Sequence, residues 1–435
     1  MDPALVAGIV LIVGIAVLLL ARVPIAVAVG FSAFVAVAAV IGLEKASFVA
    51  AQRLFTGVNS FALLAIPFFI LAGVLMNNGG IAARLIDAAK VLVGRMPGSL
   101  AQTNVVANAL FGSVSGAAVA SAAAVGGVIG PRQAKEGYDR DFSAAVNVAS
   151  APSGMLLPPS NTLIVYSLVS STSIATLFVA GYIPGILWAV ACMAVVYLYV
   201  RKRPGTGVNE SVPLRVALTT LWRAVPSILM IVVVIGGILA GIFTPTESAA
   251  IAVVYCLVLA FAYRAIRVRD LPGIILNTTR TTAVVMLLVG VSTIMAWVMA
   301  FSGIPAAISS ALLGLTDNPS VILILIMITL LLIGTFMDPT PAILIFVPIF
   351  LPIVTEFGVD PIHFGIMVTF NLCLGTITPP VGNVLFVGAR IANLRVEPVI
   401  RALVPFFIAL IAMLFVVAFV PQLSLWLPGV LGLMP

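Results

Sequence analysis

Gly154-Met155-Leu156-Leu157-Pro158-Pro159-Ser160-Asn161 interrupts one strongly apolar stretch, and Gly375-Thr376-Ile377-Thr378-Pro379-Pro380-Val381-Gly382-Asn383 interrupts another. A double proline removes two backbone donors and blocks helix continuation. Inside a bilayer the freed carbonyls must be met by protein, an ion or water. A matched pair of such breaks in corresponding halves of a chain points to a transporter's binding site.

Composition fixes the setting. Apolar residues make up 62% of the 435 residues and charged residues 8%, against about 25% charged in an ordinary soluble domain. A crossing helix needs about 20 apolar residues. The net charge of +7 comes from basic residues scattered in short loops. No basic face with interleaved aromatics exists, which excludes nucleic acid as a partner. Cys192, Cys256 and Cys373 lie far apart in apolar segments and read as buried small hydrophobes. His363 is the single histidine and reads as a polar residue at a helix start. No basic region precedes the first apolar stretch, so no cleavable signal peptide is expected.

Spans are predicted at about 4–21, 24–42, 61–77, 141–178 (broken), 183–200, 224–243, 246–264, 282–301, 363–390 (broken) and 401–421. Segments of about 97–131 and 319–352 are apolar but turn at Gly112–Gly116 and Gly334–Pro341. Both read as re-entrant hairpins, whose tips are tolerable only when buried or lining a cavity. Segments 47–59 and 270–281 read as helices lying at the interface. Pro158 and Pro379, Gly112 and Gly334, Pro131 and Pro352, and Gly80 and Gly303 are separated by 221 to 223 positions. Internal repetition of this kind is a fold signal. The predicted fold is an all-α polytopic membrane protein of two repeats, 1–203 and 224–435, joined by a cytoplasmic linker over 204–223.

Charge orients the repeats. With the N-terminus outside, 19 of the 21 Lys and Arg fall on the inner side, leaving Lys45 and Arg53 outside. Arg95 and Arg132 then flank a first hairpin inserted from the cytoplasm, and Asp317 and Glu356 a second inserted from outside. The repeats are expected to be inverted, with both termini outside.

Broken helices expose carbonyls on one stump and N–H groups on the other. Oxygen ligands suit a hard cation such as sodium, and helix N-termini suit an anionic substrate. The cation candidates are Ser113, Ser115, Gly116, Pro158 and Ser160 in the first half. In the second they are Gly334, Thr335, Met337, Thr376, Thr378 and Pro379. Ser115, Asn161, Asp338, Thr340 and Asn383 are the substrate candidates. The bland reading of the tips is close helix packing. Asp338 is the one carboxylate placed deep in the membrane, and it also fits an N-cap followed by proline. Thr244-Pro245-Thr246-Glu247 fits a structural capping box. Phe68, Phe69, Trp188, Trp297 and Trp426 read as lipid or packing residues, and Tyr138 as an anchor at the cytoplasmic interface.

Read together, Gly112-Ser113-Val114-Ser115-Gly116 through Ala120, Gly137-Tyr138 and Leu157-Pro158-Pro159-Ser160 resemble the large membrane subunit of TRAP transporters, the tripartite ATP-independent periplasmic transporters. Thr244–Glu247, Gly334–Asp338, Val347-Pro348, Leu351-Pro352 and Ile377–Gly382 extend the resemblance over nearly the whole chain. A departure is Ala117-Ala118, where the family often has a further hydroxyl, so no sodium ligand is assigned at Ala117. The resemblance implies a sodium-driven elevator in a bacterial inner membrane. It implies two partners, a small four-helix membrane subunit and a periplasmic substrate-binding protein. It implies an organic-acid substrate such as a C4-dicarboxylate or sialic acid. No fused small subunit is expected, because neither end reads as holding spare helices.

The same residues bear on three other functions. A self-sufficient sodium–carboxylate symporter would share the architecture and need no binding protein. A passive channel would not require a sodium gradient. An intramembrane enzyme needs positioned acids, bases or metals, and one histidine and one deep carboxylate do not supply them.

Overall fold

The computed structural model describes residues 3–202, 213–313 and 318–434, and all regular structure among them is helical. Eight helices among these residues are long and apolar enough to cross a membrane. The first half contains α1 (Pro3–Leu20), α2 (Ile25–Ile41), α3 (Leu43–Val58), α4 (Ala65–Asn78), α5 (Ile81–Val93), α6 (Ser99–Ser115), α7 (Ala118–Lys135), α8 (Arg140–Ser150), α9 (Ser153–Leu156), α10 (Asn161–Ser170) and α11 (Ile174–Arg201). The second contains α12 (Leu214–Leu239), α13 (Pro245–Ala262), α14 (Leu271–Phe301), α15 (Ile304–Leu313), α16 (Pro319–Phe336), α17 (Pro339–Glu356), α18 (Pro361–Gly375), α19 (Asn383–Ile391), α20 (Val396–Phe419) and α21 (Gln422–Val430).

The element order repeats: α6–α7 and α16–α17 are the hairpins, and α8–α10 and α18–α19 the broken helices. The same local chemistry starts both broken helices. Asp139 Oδ1 accepts from Asp141 N at 2.9 Å, and Asp360 Oδ1 from Ile362 N at 2.7 Å. Both double prolines carry a cis bond. In each repeat a glycine of the hairpin's first arm meets a glycine of the break. A Cβ added to Gly154 would fall 2.1 Å from Gly112 Cα, and one added to Gly375 would fall 2.6 Å from Gly334 Cα. Only a bare backbone allows this approach.

The tips differ. Gly116 closes α6 with φ 60°, its N–H donating to Gly112 O at 2.8 Å. The second tip turns through extended Met337 and Asp338, and Pro339 then opens α17. This placement suits a proline, whose missing N–H would have no intrahelical partner there.

Several boundaries depart from the sequence reading. The first broken helix ends at Ser170, where Ser171 takes a left-handed φ of 55°, and α11 starts at Ile174 behind a Ser173 cap. That turn contains no glycine or proline, which is why the span was expected to reach 178. Segment 270–281 is continuous with 282–301 as α14, about 46 Å long at 1.5 Å per residue. Of the expected linker, 204–212 lies outside the described residues, and 214–223 forms the first turns of α12. Asp317 also lies outside them. Tyr138 is buried, and burial pushes its hydroxyl pKa up to about 12.

Other features follow the chemistry read from the sequence. Thr244 and Glu247 form a reciprocal capping box. Trp188 is fully buried, donating to Ala149 O at 2.8 Å, whereas Trp426 is exposed. All three cysteines are buried and unbridged. His363 is more than a helix-start residue. Its ring spans from α18 to the end of α20 and to α21, with Nε2 3.0 Å from Ala418 O and Nδ1 3.4 Å from Ser424 Oγ. Replacing His363 with Leu strands the fully buried Ser424 hydroxyl. Losing a partner for a buried polar group costs about 1–3 kcal/mol. His363→Leu is therefore expected to lower the midpoint of thermal unfolding of the purified protein, and an unchanged midpoint would contradict the role.

Candidate functional site

Both tips and both breaks converge on one cavity of about 410 Å³. Ser115 to Ala120 line it from the first hairpin, and Asn161 and Thr162 from the first break. Asp338, Pro339 and Thr340 come from the second hairpin, and Thr376 and Val384 from the second break. Helices α4 and α14 close the opposite wall with Gly73, Asn77, Asn78, Asn277 and Thr281 among others.

Four helices begin at this cavity: α7, α10, α17 and α19. The first N–H groups of a helix lack intrahelical partners and carry the positive end of its dipole. Ser160 Oγ caps α10 by accepting from Leu163 N at 3.3 Å. The other three have no side-chain cap. Ala118, Val119 and Ala120, the first turn of α7, face the cavity directly. No lysine, arginine or histidine lines it among the described residues. An anion there would be met by backbone donors and amides.

Asp338 is the one charged lining side chain among the described residues. It holds the N-cap position of α17 but makes no cap bond, and the Asn383 side chain hydrogen-bonds to it instead.

The structure sorts the candidates read from sequence. Ser115, Gly116, Asn161, Asp338, Thr340 and Thr376 line the cavity, and Asn383 reaches it through Asp338. Ser113, Pro158, Ser160, Gly334, Thr335, Met337, Thr378 and Pro379 do not line it. Ser113 Oγ donates to Leu110 O at 2.9 Å, and Ser160 Oγ to Met155 O. Met337's side chain packs in the apolar cluster of α1, α2 and α14, and Gly334 serves as the contact with Gly375.

The second break holds an oxygen-rich cradle. Gly382 N donates to Thr335 O at 3.0 Å, and a Cβ at Gly382 would lie 2.9 Å from Thr378 O and 3.2 Å from Thr376 O. Carbonyl oxygens gathered around a bare glycine fit a hard cation such as sodium. The first tip is different: a Cβ at Gly116 would meet the Asn161 side-chain and backbone nitrogens at 3.0 and 3.2 Å. Its oxygen candidates are the Ser115 hydroxyl and the carbonyls beside it.

Asn77, Asn78, Thr162, Asn277 and Thr281 were not among the residues singled out from sequence. Asn277 and Thr281 are four apart and so share a helix face. That polar pair in an apolar segment was the available signal, hidden by reading 270–281 as an interface helix.

Residues 12–423 match the family described as the tripartite ATP-independent periplasmic transporter, DctM component. The chain is 51% identical to the uncharacterized protein YgiK of Salmonella typhimurium, over 97% of each chain. It is 40% identical to the sialic acid TRAP transporter large permease protein SiaM of Vibrio cholerae, over 87% of this chain and 89% of that one. Among solved structures, the YdaH transporter of Alcanivorax borkumensis, described as having an unusual topology, superposes with a TM-score of 0.59 at 13% identity. That superposition covers 87% of this chain and 88% of the other and speaks to the fold alone.

Proposed function

The chain belongs to the DctM component family of the tripartite ATP-independent periplasmic transporters, and on that premise we propose that it is the permease of a sodium-driven, binding-protein-dependent importer of an organic carboxylate. One observation carries the substrate class: three uncapped helix N-termini open on a cavity whose lining holds no basic side chain. Such ends bind anions through backbone N–H groups. A C4-dicarboxylate or a sialic acid is the kind of ligand this suits. The cradle at Gly382 supports sodium as the coupling ion.

The orientation follows from the repeats and the charge bias, and the membrane, partners and elevator from the family. The chain sits in a bacterial inner membrane with both termini outside, the first hairpin entering from the cytoplasm and the second from the periplasm. Repeats 1–203 and 224–435 flank the linker. Family membership implies a periplasmic binding protein that delivers substrate and a small four-helix membrane subunit beside this chain. In the elevator that the family implies, hairpins and broken helices travel together, and the close Gly112–Gly154 and Gly334–Gly375 contacts between each hairpin and its break support that reading.

Ser115 supplies the test. It is 7% exposed and lines the cavity, so a leucine there fills space that substrate and cation need. Ser115→Leu is expected to abolish sodium-dependent uptake into proteoliposomes containing the small subunit and the binding protein, with expression unchanged. Normal uptake by this variant would exclude the site. Wild-type uptake without the binding protein would mark a self-sufficient symporter instead.

A further inference from the structure

Two arginines, an aspartate and a tryptophan meet where α12 begins. A cavity of about 550 Å³ lies between α5, the first turns of α12 and the end of α13. Arg84 and Asp87 line it from α5, Thr220, Trp222 and Arg223 from α12, and Tyr263 from the end of α13. It shares no lining residue with the central cavity.

Its depth in the membrane follows from α12, which is long and apolar enough to cross. Trp222 lies 17 positions before Leu239, the last residue of that helix, about 26 Å at 1.5 Å per residue. The hydrocarbon core is about 30 Å thick. When one end of α12 reaches one boundary, Trp222 therefore sits near the other. That is the level of phospholipid headgroups, where tryptophan is enriched. Val225, Leu229 and Val232 continue from Trp222 at spacings of three, four and three, which places all four on one helix face. All four are exposed. Charges at headgroup level and an apolar stripe leading away from them match the two parts of a phospholipid.

The charges narrow the headgroup. Arg84 is held in place: its guanidinium lies 3.4 Å from the centre of the Tyr263 ring, and Nη1 donates to Gly80 O at 2.9 Å. A guanidinium carries five N–H donors, so others remain for a ligand. Arg84 and Asp87 are three apart, on one face of α5. Asp87 and Arg223 are exposed, and among the described residues neither has an ion-pair partner. A simple anion would face Asp87, and a simple cation would face two arginines. A ligand carrying both signs satisfies the whole lining, and arginine is suited to phosphate.

We infer that this cavity binds phosphatidylethanolamine, a phospholipid whose headgroup joins a phosphate to a primary ammonium. Arg84 and Arg223 take the phosphate, Asp87 accepts from the ammonium, and the acyl chains lie along Val225, Leu229 and Val232. This site is separate from the central cavity and does not depend on what that cavity transports.

Native mass spectrometry tests it on the delipidated permease, purified with the small membrane subunit that the family implies. Phosphatidylethanolamine, phosphatidylcholine and phosphatidylglycerol are added separately at equal concentration. Phosphatidylethanolamine should be retained about fivefold or more over either of the others, because choline offers Asp87 no N–H and phosphatidylglycerol offers it no cation. Arg223→Ala, which leaves the Arg84–Tyr263 stack in place, should lower that retention about fivefold. Asp87→Asn should bind lipid but lose the preference over phosphatidylglycerol. Lys45→Ala, which removes an exposed cation of α3, should change nothing. Equal retention of the three lipids by the wild type overturns the inference. So does a wild-type preference for phosphatidylglycerol, which would mark a site for anionic lipid. Absence of lipid from the complex overturns it as well, by showing that this face is covered by protein. Wild-type behaviour in both Arg223→Ala and Asp87→Asn would place the retained lipid elsewhere and overturn it too.

Discussion

Gly154→Ala is expected to abolish uptake, and Gly375→Ala to do the same, although neither residue is a candidate ligand. The added Cβ at Gly154 would lie 2.1 Å from Gly112 Cα and 2.3 Å from its carbonyl carbon. At Gly375 it would lie 2.5 Å from the Gly334 carbonyl carbon. These neighbours are backbone, so no rotamer change relieves the clash, and the hairpin must move away from the break. Overpacking a well-packed core costs about 1–3 kcal/mol, occasionally more. Here the displacement also lands on the cavity, since the tip and the break both line it. Gly236→Ala is the control: an added Cβ there meets nothing within 4 Å, and a helix-interior Gly-to-Ala change is favourable by about 1 kcal/mol. Wild-type uptake by Gly154→Ala, measured beside that control, would show that the glycine contact does not position the site.

These contacts mark where sequence reasoning reaches and where it stops. The breaks were legible because proline and glycine act locally: a double proline ends a helix wherever it lies. The hairpin tips and the repeat were legible for the same reason. The pairing of Gly112 with Gly154 was not, because it joins residues 42 positions apart that only the packed repeat brings together. The turn at Ser171 was missed because a serine adopts the left-handed φ there, and non-glycine residues seldom do so. Ser160 and Asn161 are adjacent, yet one hydroxyl is committed to Met155 and Leu163 while the other side chain lines the cavity. Nothing in their order distinguishes them. Only helix phase and neighbours do.

Asp338 posed the same ambiguity, and its side chain settles the capping half of it: the carboxylate makes no cap bond and faces the cavity with Asn383 as partner. A carboxylate inside the proposed anion site has a consequence for coupling. Two like charges about 4 Å apart repel by about 4 kcal/mol at an effective dielectric of 20. An anionic substrate and Asp338 therefore coexist most readily with a cation between or beside them. Coupling of this kind is reciprocal: whatever the cation does for the anion, the anion does for the cation. Asp338→Asn removes the repulsion and the attraction together, and because Asp338 caps nothing, α17 loses no cap. Substrate binding to the purified variant in sodium-free buffer should rise, its enhancement by sodium should shrink at least tenfold, and sodium-driven uptake should collapse. Calorimetric titration of substrate at zero and saturating sodium measures the first two directly. Sodium enhancement equal to wild type in Asp338→Asn would place the coupling elsewhere, with the carbonyl cradle around Gly382 the next group to alter.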